Sequence, residues 1–150
     1  MSDSSAGRVE LETCFYERFR DGVVVLTFNR PDRGNGVVPE LARDLLAVID
    51  ELEPDRSVRV VVLTGAGKQF SAGADVVAMR DYVRDRLAIE QEPYNARVLC
   101  PVTQRLTTSR LIFVAAINGG ATAGGFAGMS AGSGSPSGAA GSAAGARGAR

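Results

Sequence analysis

Residues 60–75 read VVVLTGAGKQFSAGAD, and residues 112–125 read IFVAAINGGATAGG. Each stretch begins with an apolar, β-branched run that predicts a buried strand and continues into a glycine-rich elbow. Glycine allows the positive φ angles of a tight turn, so either elbow alone is also explained as a plain strand-to-helix connection. Two such turns together can direct two free backbone N–H groups at one oxygen atom. They therefore suggest a site that stabilises an oxyanion, such as a thioester enolate, without any side chain.

The first elbow does not match the two common nucleotide-binding loops. A phosphate-binding P-loop needs a glycine five residues before its Gly-Lys pair, and Val62 occupies that position relative to Gly67. A dinucleotide fingerprint needs its third glycine where Phe70 stands. Both nucleotide interpretations are therefore excluded.

The composition excludes several further classes of function. The 150 residues contain no histidine, which rules out Ser-His-Asp and Cys-His catalysis and the usual histidine-bearing zinc sites. The 17 basic residues balance the 17 acidic ones, so neither nucleic acid nor a membrane surface is predicted as a partner. Cys14 and Cys100 lack metal-ligand spacing and are interpreted as buried or idle thiols.

The location of the protein is predicted from what the sequence lacks. The N-terminus is polar, without the apolar core of a signal peptide. No stretch approaches the roughly 18 apolar residues of a membrane span. We therefore predict a soluble, cytoplasmic protein.

Hydrophobic periodicity predicts alternating strands and helices, which indicates an α/β fold. Strands are predicted over residues 15–20 and 23–29 around an Asp21-Gly22 hairpin turn, and over residues 58–63 and 112–117. Helices are predicted over residues 39–53, with Pro39 in the first turn, and over residues 76–90.

Three segments differ in composition. Residues 1–10 are predicted to be a flexible N-terminus, residues 11–125 the folded part, and residues 126–150 a low-complexity tail. In the tail, 20 of the 25 residues are Ala, Gly or Ser. Such a segment buries too little apolar surface to offset an ordering entropy of about 1–2 kcal/mol per residue, so we expect it to be disordered.

Three ordered motifs resemble the N-terminal half of the enoyl-CoA hydratase/isomerase family, the crotonase superfamily. They are LTFNRP at residues 26–31, VLTGAGKQFSAGAD at 62–75, and VAAING at 114–119 leading to Gly124-Gly125. The resemblance covers about residues 15–125 and identifies residues 11–125 as a partial acyl-CoA-binding domain with an incomplete crotonase-like spiral of ββα units.

The resemblance also implies a substrate, an assembly and a set of site residues. The substrate would be an acyl-CoA or enoyl-CoA thioester of fatty acid metabolism, with no cofactor apart from the coenzyme A of the substrate and no metal. The complete protein would form homotrimers or hexamers. The backbone N–H groups of Ala74 and Gly124 would form the oxyanion hole, and a helix beginning near Ala74 would add positive potential. The implied substrate-binding residues are Arg30, Ala72, Gly73, Asp75 and Gly125.

The sequence departs from the family where acid–base chemistry is expected. Hydratases of the family commonly carry a carboxylate three residues after the oxyanion glycine, and this sequence has Ala127 there, with no Asp or Glu after Glu92. Three interpretations stay open: an acyl-CoA enzyme acting through an enolate, a non-catalytic acyl-CoA binder or half-subunit, and an inactive truncated product. Residues 126–150 are interpreted either as out-of-frame translation of a GC-rich gene or as a genuine flexible tail.

Overall fold

The computed structural model describes residues 6–86 and 98–122. Strands and helices alternate along these residues, which confirms the predicted α/β fold. In chain order the elements are β1 (Ala6–Glu10), β2 (Cys14–Arg18), β3 (Val23–Phe28), α1 (Pro39–Leu52), β4 (Val60–Gly65), β5 (Gln69–Ser71), α2 (Val76–Arg86), α3 (Cys100–Thr108), β6 (Ile112–Ala115) and β7 (Gly120–Ala121).

The main sheet has five strands in the order β1-β2-β3-β4-β6. The first three strands form an antiparallel meander, whereas β3, β4 and β6 are parallel. Parallel strands need a crossover connection, which α1 supplies between β3 and β4. Because parallel strands end at the same edge of a sheet, both glycine-rich elbows leave the sheet at one edge. There β5 and β7 pair as a second, two-stranded parallel sheet.

One face of the main sheet packs against α1. Pro39 lies in the first turn of α1, where its missing N–H is not needed. The apolar residues of α1 recur at helical spacing and bury the stripe that faces the strands. The buried positions include Leu41, Leu45, Val48, Ile49 and Leu52 of the helix and Val24, Leu26, Val61 and Leu63 of the strands. Each such side chain contributes about 1.5–3 kcal/mol through burial, so this layer is the main source of stability.

The N-terminal segment differs from the prediction. Residues 1–10 were expected to be flexible, whereas Ala6–Glu10 form β1. β1 is an edge strand that pairs with β2, with Val9 opposite Tyr16. The strand has few apolar residues, so its composition gives no strand signal. It forms through backbone pairing with β2, and its outer edge faces solvent. The Arg8 guanidinium lies over the ring of Phe15, 3.3 Å from its centroid, which adds a cation–π contact.

Two further local features were not predicted. The hairpin between β2 and β3 uses a three-residue turn, Arg20–Gly22, rather than the two residues Asp21-Gly22. Both of those residues do have positive φ, 63° and 77°. Helix α3 gave no sequence signal because β-branched threonines lower its helix propensity. It forms because Val102 and Leu106, one turn apart, are buried against the core.

Several predictions fall on residues that the structure does not describe. The end of the predicted helix over residues 76–90 lies partly beyond Arg86, and the tail over residues 126–150 lies wholly outside the described residues. Within residues 6–86 and 98–122, none of the helices combines the length and apolarity needed to cross a bilayer.

Candidate functional site

The two glycine-rich elbows lie against each other. The first elbow comprises residues 64–75 and the second residues 118–125, of which 118–122 are described. The backbone N–H of Thr122 donates to the Ser71 carbonyl at 3.1 Å, and the Thr122 hydroxyl donates to the Ala72 carbonyl at 2.9 Å. The two bends therefore meet on one side of the molecule.

The side chain of Asn118 links the elbows at the point where they leave the sheet. Its Nδ2 donates to the carbonyls of Gly65, at 2.7 Å, and Gly67, at 3.0 Å. Its Oδ1 accepts a hydrogen bond from the Gly65 N–H at 3.1 Å. One amide side chain thus satisfies three backbone groups of the first elbow from the second.

The backbone N–H of Ala74 is left without a protein acceptor among the described residues. Ala74 forms a parallel bridge with Val37. In this bridge Val37 N–H donates to Gly73 O at 2.7 Å, and Asp75 N–H donates to Val37 O at 3.0 Å. The bonded groups belong to the residues on either side of Ala74, so the Ala74 N–H itself points away from Val37.

Gly73 gives the chain the bend that precedes Ala74. Its φ is +83°, a conformation that favours glycine. The Gly73 N–H donates to the hydroxyl of Ser71 at 3.2 Å, and that hydroxyl donates to the Asn35 carbonyl at 2.9 Å. Ser71 and Asn35 are both almost fully buried. Buried bonds of this kind fix the conformation of the bend, because breaking them would leave polar groups unsatisfied.

Asp75 closes the first elbow and directly precedes α2. Its Oδ1 accepts hydrogen bonds from the N–H groups of Val77 and Ala78, at 3.0 and 3.1 Å, which caps the helix. Its Oδ2 accepts a bond from Arg30 Nη2 at 3.2 Å. Burial acts to raise the pKa of Asp75, but the Ala78 amide and the Arg30 guanidinium outweigh burial and lower that pKa below its ordinary value. An ionised carboxylate engaged in this way is a poor general base.

Arg30 also holds the loop over residues 30–36. Its Nη1 donates to the Gly36 carbonyl at 2.8 Å. The buried side chain of Asn35 fastens the same loop to the first elbow, because its Nδ2 donates to the carbonyls of Ala66 and Gln69 at 2.9 and 2.7 Å. Ala72, which is exposed, donates its N–H to Gly34 O at 2.8 Å. Loop and elbow thus form one connected unit.

The structure brings five of the seven predicted site residues together and does not describe the other two. Gly124 and Gly125 lie outside the described residues, two and three positions beyond Thr122. The five neighbours in the first elbow and its adjoining loop are Arg30, Ala72, Gly73, Ala74 and Asp75. Helix α2 begins at Val76, two residues after Ala74. Its N-terminus adds positive potential, so the arrangement can donate a hydrogen bond to an anionic oxygen.

The two asparagines that join these segments were not predicted from the sequence. Asn35 and Asn118 each precede a glycine inside a glycine-rich loop. An amide side chain in such a loop can replace missing backbone partners, and this was the available signal. The acidic residue nearest in sequence along α2, Asp81, pairs with Arg80 and Arg84 at the surface.

Comparisons with known proteins agree on one family. The model of the enoyl-CoA hydratase/isomerase family matches residues 18–131. A Thermus thermophilus protein named "Putative enoyl-CoA hydratase" is 43% identical over 103 residues, which is 69% of this chain and 40% of that protein. The chain spans about two fifths of the length of this curated relative.

Solved structures give the same result. AtuE of Pseudomonas aeruginosa superposes with a TM-score of 0.66 at 32% identity, covering 77% of this chain and 43% of AtuE. A monofunctional enoyl-CoA isomerase from M. smegmatis superposes with a TM-score of 0.59 at 33% identity, covering 77% of this chain and 44% of the isomerase. These structures have the crotonase fold, of which the described residues form part.

Proposed function

The chain belongs to the enoyl-CoA hydratase/isomerase family, the crotonase superfamily, and from that premise we propose that it binds an acyl-CoA thioester and stabilises its enolate oxygen. The donors in this proposal are the backbone N–H groups of Ala74 and Gly124. The α-proton of a thioester becomes acidic only when the negative charge that develops on the carbonyl oxygen is stabilised. A pair of N–H donors supplies this stabilisation without any side chain.

The uncommitted N–H of Ala74 carries the proposal. The amides of Ala72, Gly73 and Asp75 all donate to protein acceptors, whereas that of Ala74 has no acceptor among residues 6–86 and 98–122. Losing one donor of an oxyanion hole typically slows a reaction by about 10²–10³-fold, or about 3 kcal/mol. A single free amide beside a helix N-terminus is therefore enough to matter chemically.

The proposal includes the setting in which the site works. The only coenzyme it requires is the coenzyme A of the substrate, and the place in metabolism is the handling of fatty acyl thioesters. We further propose that the complete protein assembles as a trimer or hexamer in the cytoplasm. The exposed, free thiol of Cys100 supports a reducing compartment.

A specific observation favours binding without turnover as the second candidate function. Proton transfer by the two-carboxylate route needs a carboxylate with free lone pairs near the enolate carbon. Asp75 is engaged by Arg30 and by the start of α2, and position 127, three residues after Gly124, is an alanine. A non-catalytic acyl-CoA binder fits these facts.

Two measurements on the full chain decide between the candidates. Calorimetry with but-2-enoyl-CoA measures binding, and loss of the enoyl absorbance measures hydration. Ala74→Pro removes the N–H, whereas Ala74→Gly keeps it and serves as the matched control. We expect Ala74→Pro to weaken binding or turnover and Ala74→Gly to resemble the parent. Binding without turnover favours the second candidate, and no binding of the thioester by the parent chain contradicts both.

A further inference from the structure

The backbone conformation of Gly73 decides where the N–H of Ala74 points. In a trans peptide unit the carbonyl of one residue and the N–H of the next point in opposite directions. The Gly73 carbonyl accepts the Val37 N–H at 2.7 Å, so the Ala74 N–H is directed away from Val37. Glycine adopts positive and negative φ about equally well. The φ of +83° at Gly73 is therefore fixed by the groups that bind it.

Both polar backbone groups of Gly73 are bound to residues 35–37. The carbonyl binds the Val37 N–H directly. The Gly73 N–H donates to the Ser71 hydroxyl at 3.2 Å, and this hydroxyl donates to the Asn35 carbonyl at 2.9 Å. Ser71, Gly73 and Asn35 are all buried, and breaking a buried link of this kind is costly because its polar groups lose their partners. Ser71 is thus the link between Asn35 and Gly73.

The acceptor for the Ser71 hydroxyl is itself held in place. The side chain of Asn35 accepts the Arg30 N–H at 2.9 Å through Oδ1. Its Nδ2 donates to the carbonyls of Ala66 and Gln69. These three bonds fix Asn35 to its own loop and to the first elbow, so the Ser71 hydroxyl has a rigid partner.

Thr122 of the second elbow holds the same peptide unit from its other side. The Ala72 carbonyl and the Gly73 N–H belong to one peptide unit and point in opposite directions. The Thr122 hydroxyl donates to that carbonyl at 2.9 Å, while Ser71 accepts the N–H. The backbone N–H of Thr122 also donates to the Ser71 carbonyl at 3.1 Å. Because Thr122 is exposed, its hydroxyl can be removed without opening the core.

We propose that the hydroxyls of Ser71 and Thr122 position the Ala74 amide, by holding the Ala72–Gly73 peptide unit in the orientation that keeps Gly73 at positive φ. This inference rests on the proposed function in one respect, the use of the Ala74 N–H as a donor to the acyl oxygen. With one peptide unit of Gly73 held by two hydroxyls and the next by Val37, both torsions of the glycine are fixed. Neither hydroxyl needs to touch the substrate.

The first measurement needs no ligand. Residual dipolar couplings report the orientation of each N–H bond in the full chain, and we expect those of Gly73 and Ala74 to lose magnitude in Ser71→Ala and in Thr122→Val. Thr122→Ser keeps the hydroxyl and should keep the couplings.

Ser109→Ala is the matched control for loss of a serine hydroxyl. The Ser109 hydroxyl also accepts the N–H two residues ahead, that of Leu111 at 3.1 Å, and donates to a distant oxygen, that of Glu53. It lies before the start of β6, whereas the elbows follow the ends of the parallel strands. Its removal should leave the couplings of Gly73 and Ala74 unchanged.

The second measurement is the ratio of the affinities for but-2-enoyl-CoA and for free coenzyme A, by calorimetry. Only the thioester has the carbonyl that the Ala74 N–H would bind, so a misplaced amide lowers the ratio, whereas a general loss of structure lowers both affinities together. We expect Ser71→Ala and Thr122→Val each to lower the ratio about fivefold, the usual effect of losing one neutral hydrogen bond. Thr122→Ser and Ser109→Ala should keep the ratio of the parent chain.

The outcomes separate this inference from the proposed function. Unchanged couplings in Ser71→Ala and Thr122→Val, or an equal loss in Ser109→Ala, overturn the positioning role and leave the proposed function standing. Reduced couplings with an unchanged affinity ratio overturn both, because the Ala74 N–H is then no donor to the thioester. A parent chain that binds no thioester also overturns both. If circular dichroism shows that Ser71→Ala fails to fold, the exposed pair Thr122→Val and Thr122→Ser decides.

Discussion

The guanidinium of Arg30 and the carboxylate of Asp75, 45 residues apart in sequence, form an ion pair with 3.2 Å between Nη2 and Oδ2. The same carboxylate caps α2, and the same guanidinium binds the carbonyl of Gly36. One pair of side chains thus connects the loop over residues 30–36, the first elbow and the helix that follows it. Both residues were predicted to contact substrate, and the structure gives each of them a contact within the protein.

We expect Asp75→Ala to lower the free energy of unfolding by about 2 kcal/mol, because it removes a helix cap and the carboxylate that pairs with Arg30. Urea denaturation followed by circular dichroism measures the change. Asp81→Ala is the control, since it breaks only surface ion pairs and should cost less than about 1 kcal/mol. Equal effects of the two substitutions would contradict the role given to Asp75.

The lowered pKa of Asp75 predicts a dependence of stability on pH. A carboxyl group whose pKa is lower in the folded state stabilises the fold above its unfolded pKa, about 4, and this contribution is lost as the pH falls through the folded pKa. Hydrogen bonds from Ser57 and Arg18 likewise lower the pKa of Asp55 to about 2. Unfolding free energy should therefore fall steadily below about pH 4. Asp75→Asn should flatten this decline, and an unchanged slope would count against the assignment.

The sheet and α1 were predictable because their signals are local. Val23 to Phe28 and Val60 to Leu63 are apolar runs bounded by turn residues, and the stripe of α1 repeats at helical spacing. Helix α3 was not predictable because its threonines disfavour a helix and only tertiary contacts of Val102 and Leu106 stabilise it.

The site was predictable in part for the same reason. Glycine spacing indicated both elbows, and the order of parallel strands brings them to one edge. The contacts that hold them are not periodic: Asn35 and Asn118 bind carbonyls 31 to 53 residues away. Such contacts depend on how distant loops approach in the fold, and no sequence window contains both partners.

The two cysteines should differ sharply in reactivity. Burial, followed by the charges of Asp44 and Glu10, raises the pKa of the Cys14 thiol to about 12, whereas Cys100 is exposed. Because the thiolate is the reactive form, only Cys100 should react with a disulfide reagent near pH 8 in the folded protein. Denaturation should release the second thiol. Cys100→Ser should abolish the fast phase of the reaction with the reagent. A fast phase that persists in this variant would contradict the burial of Cys14.

Arg110 should be a major determinant of stability. Its guanidinium donates to four backbone carbonyls at and beyond the end of α1, those of Leu52, Glu53, Asp55 and Val58, at 2.6 to 3.1 Å. Lysine keeps the charge but cannot reach four acceptors with a planar fork. We expect Arg110→Lys to cost about 2 kcal/mol or more in urea denaturation. Arg43→Lys, at an exposed pair with Glu12, should change stability by less than about 1 kcal/mol.

The face of the sheet opposite α1 should bind hydrophobic dye. The register places Val60 beside Ile112 and Val62 beside Val114, and Ile112 and Val114 are 60% and 45% exposed. Parallel strands that are apolar on both faces are normally covered on both. At Ile112 and Val114 this face is exposed instead, and an exposed apolar patch of this kind promotes association. Val114→Lys, at the edge of the patch, should lower dye fluorescence and reduce concentration-dependent association in sedimentation. Thr107→Lys adds the same charge on the exposed side of α3 and controls for net charge. If both variants reduce dye binding equally, the effect comes from charge and the patch is not the binding surface.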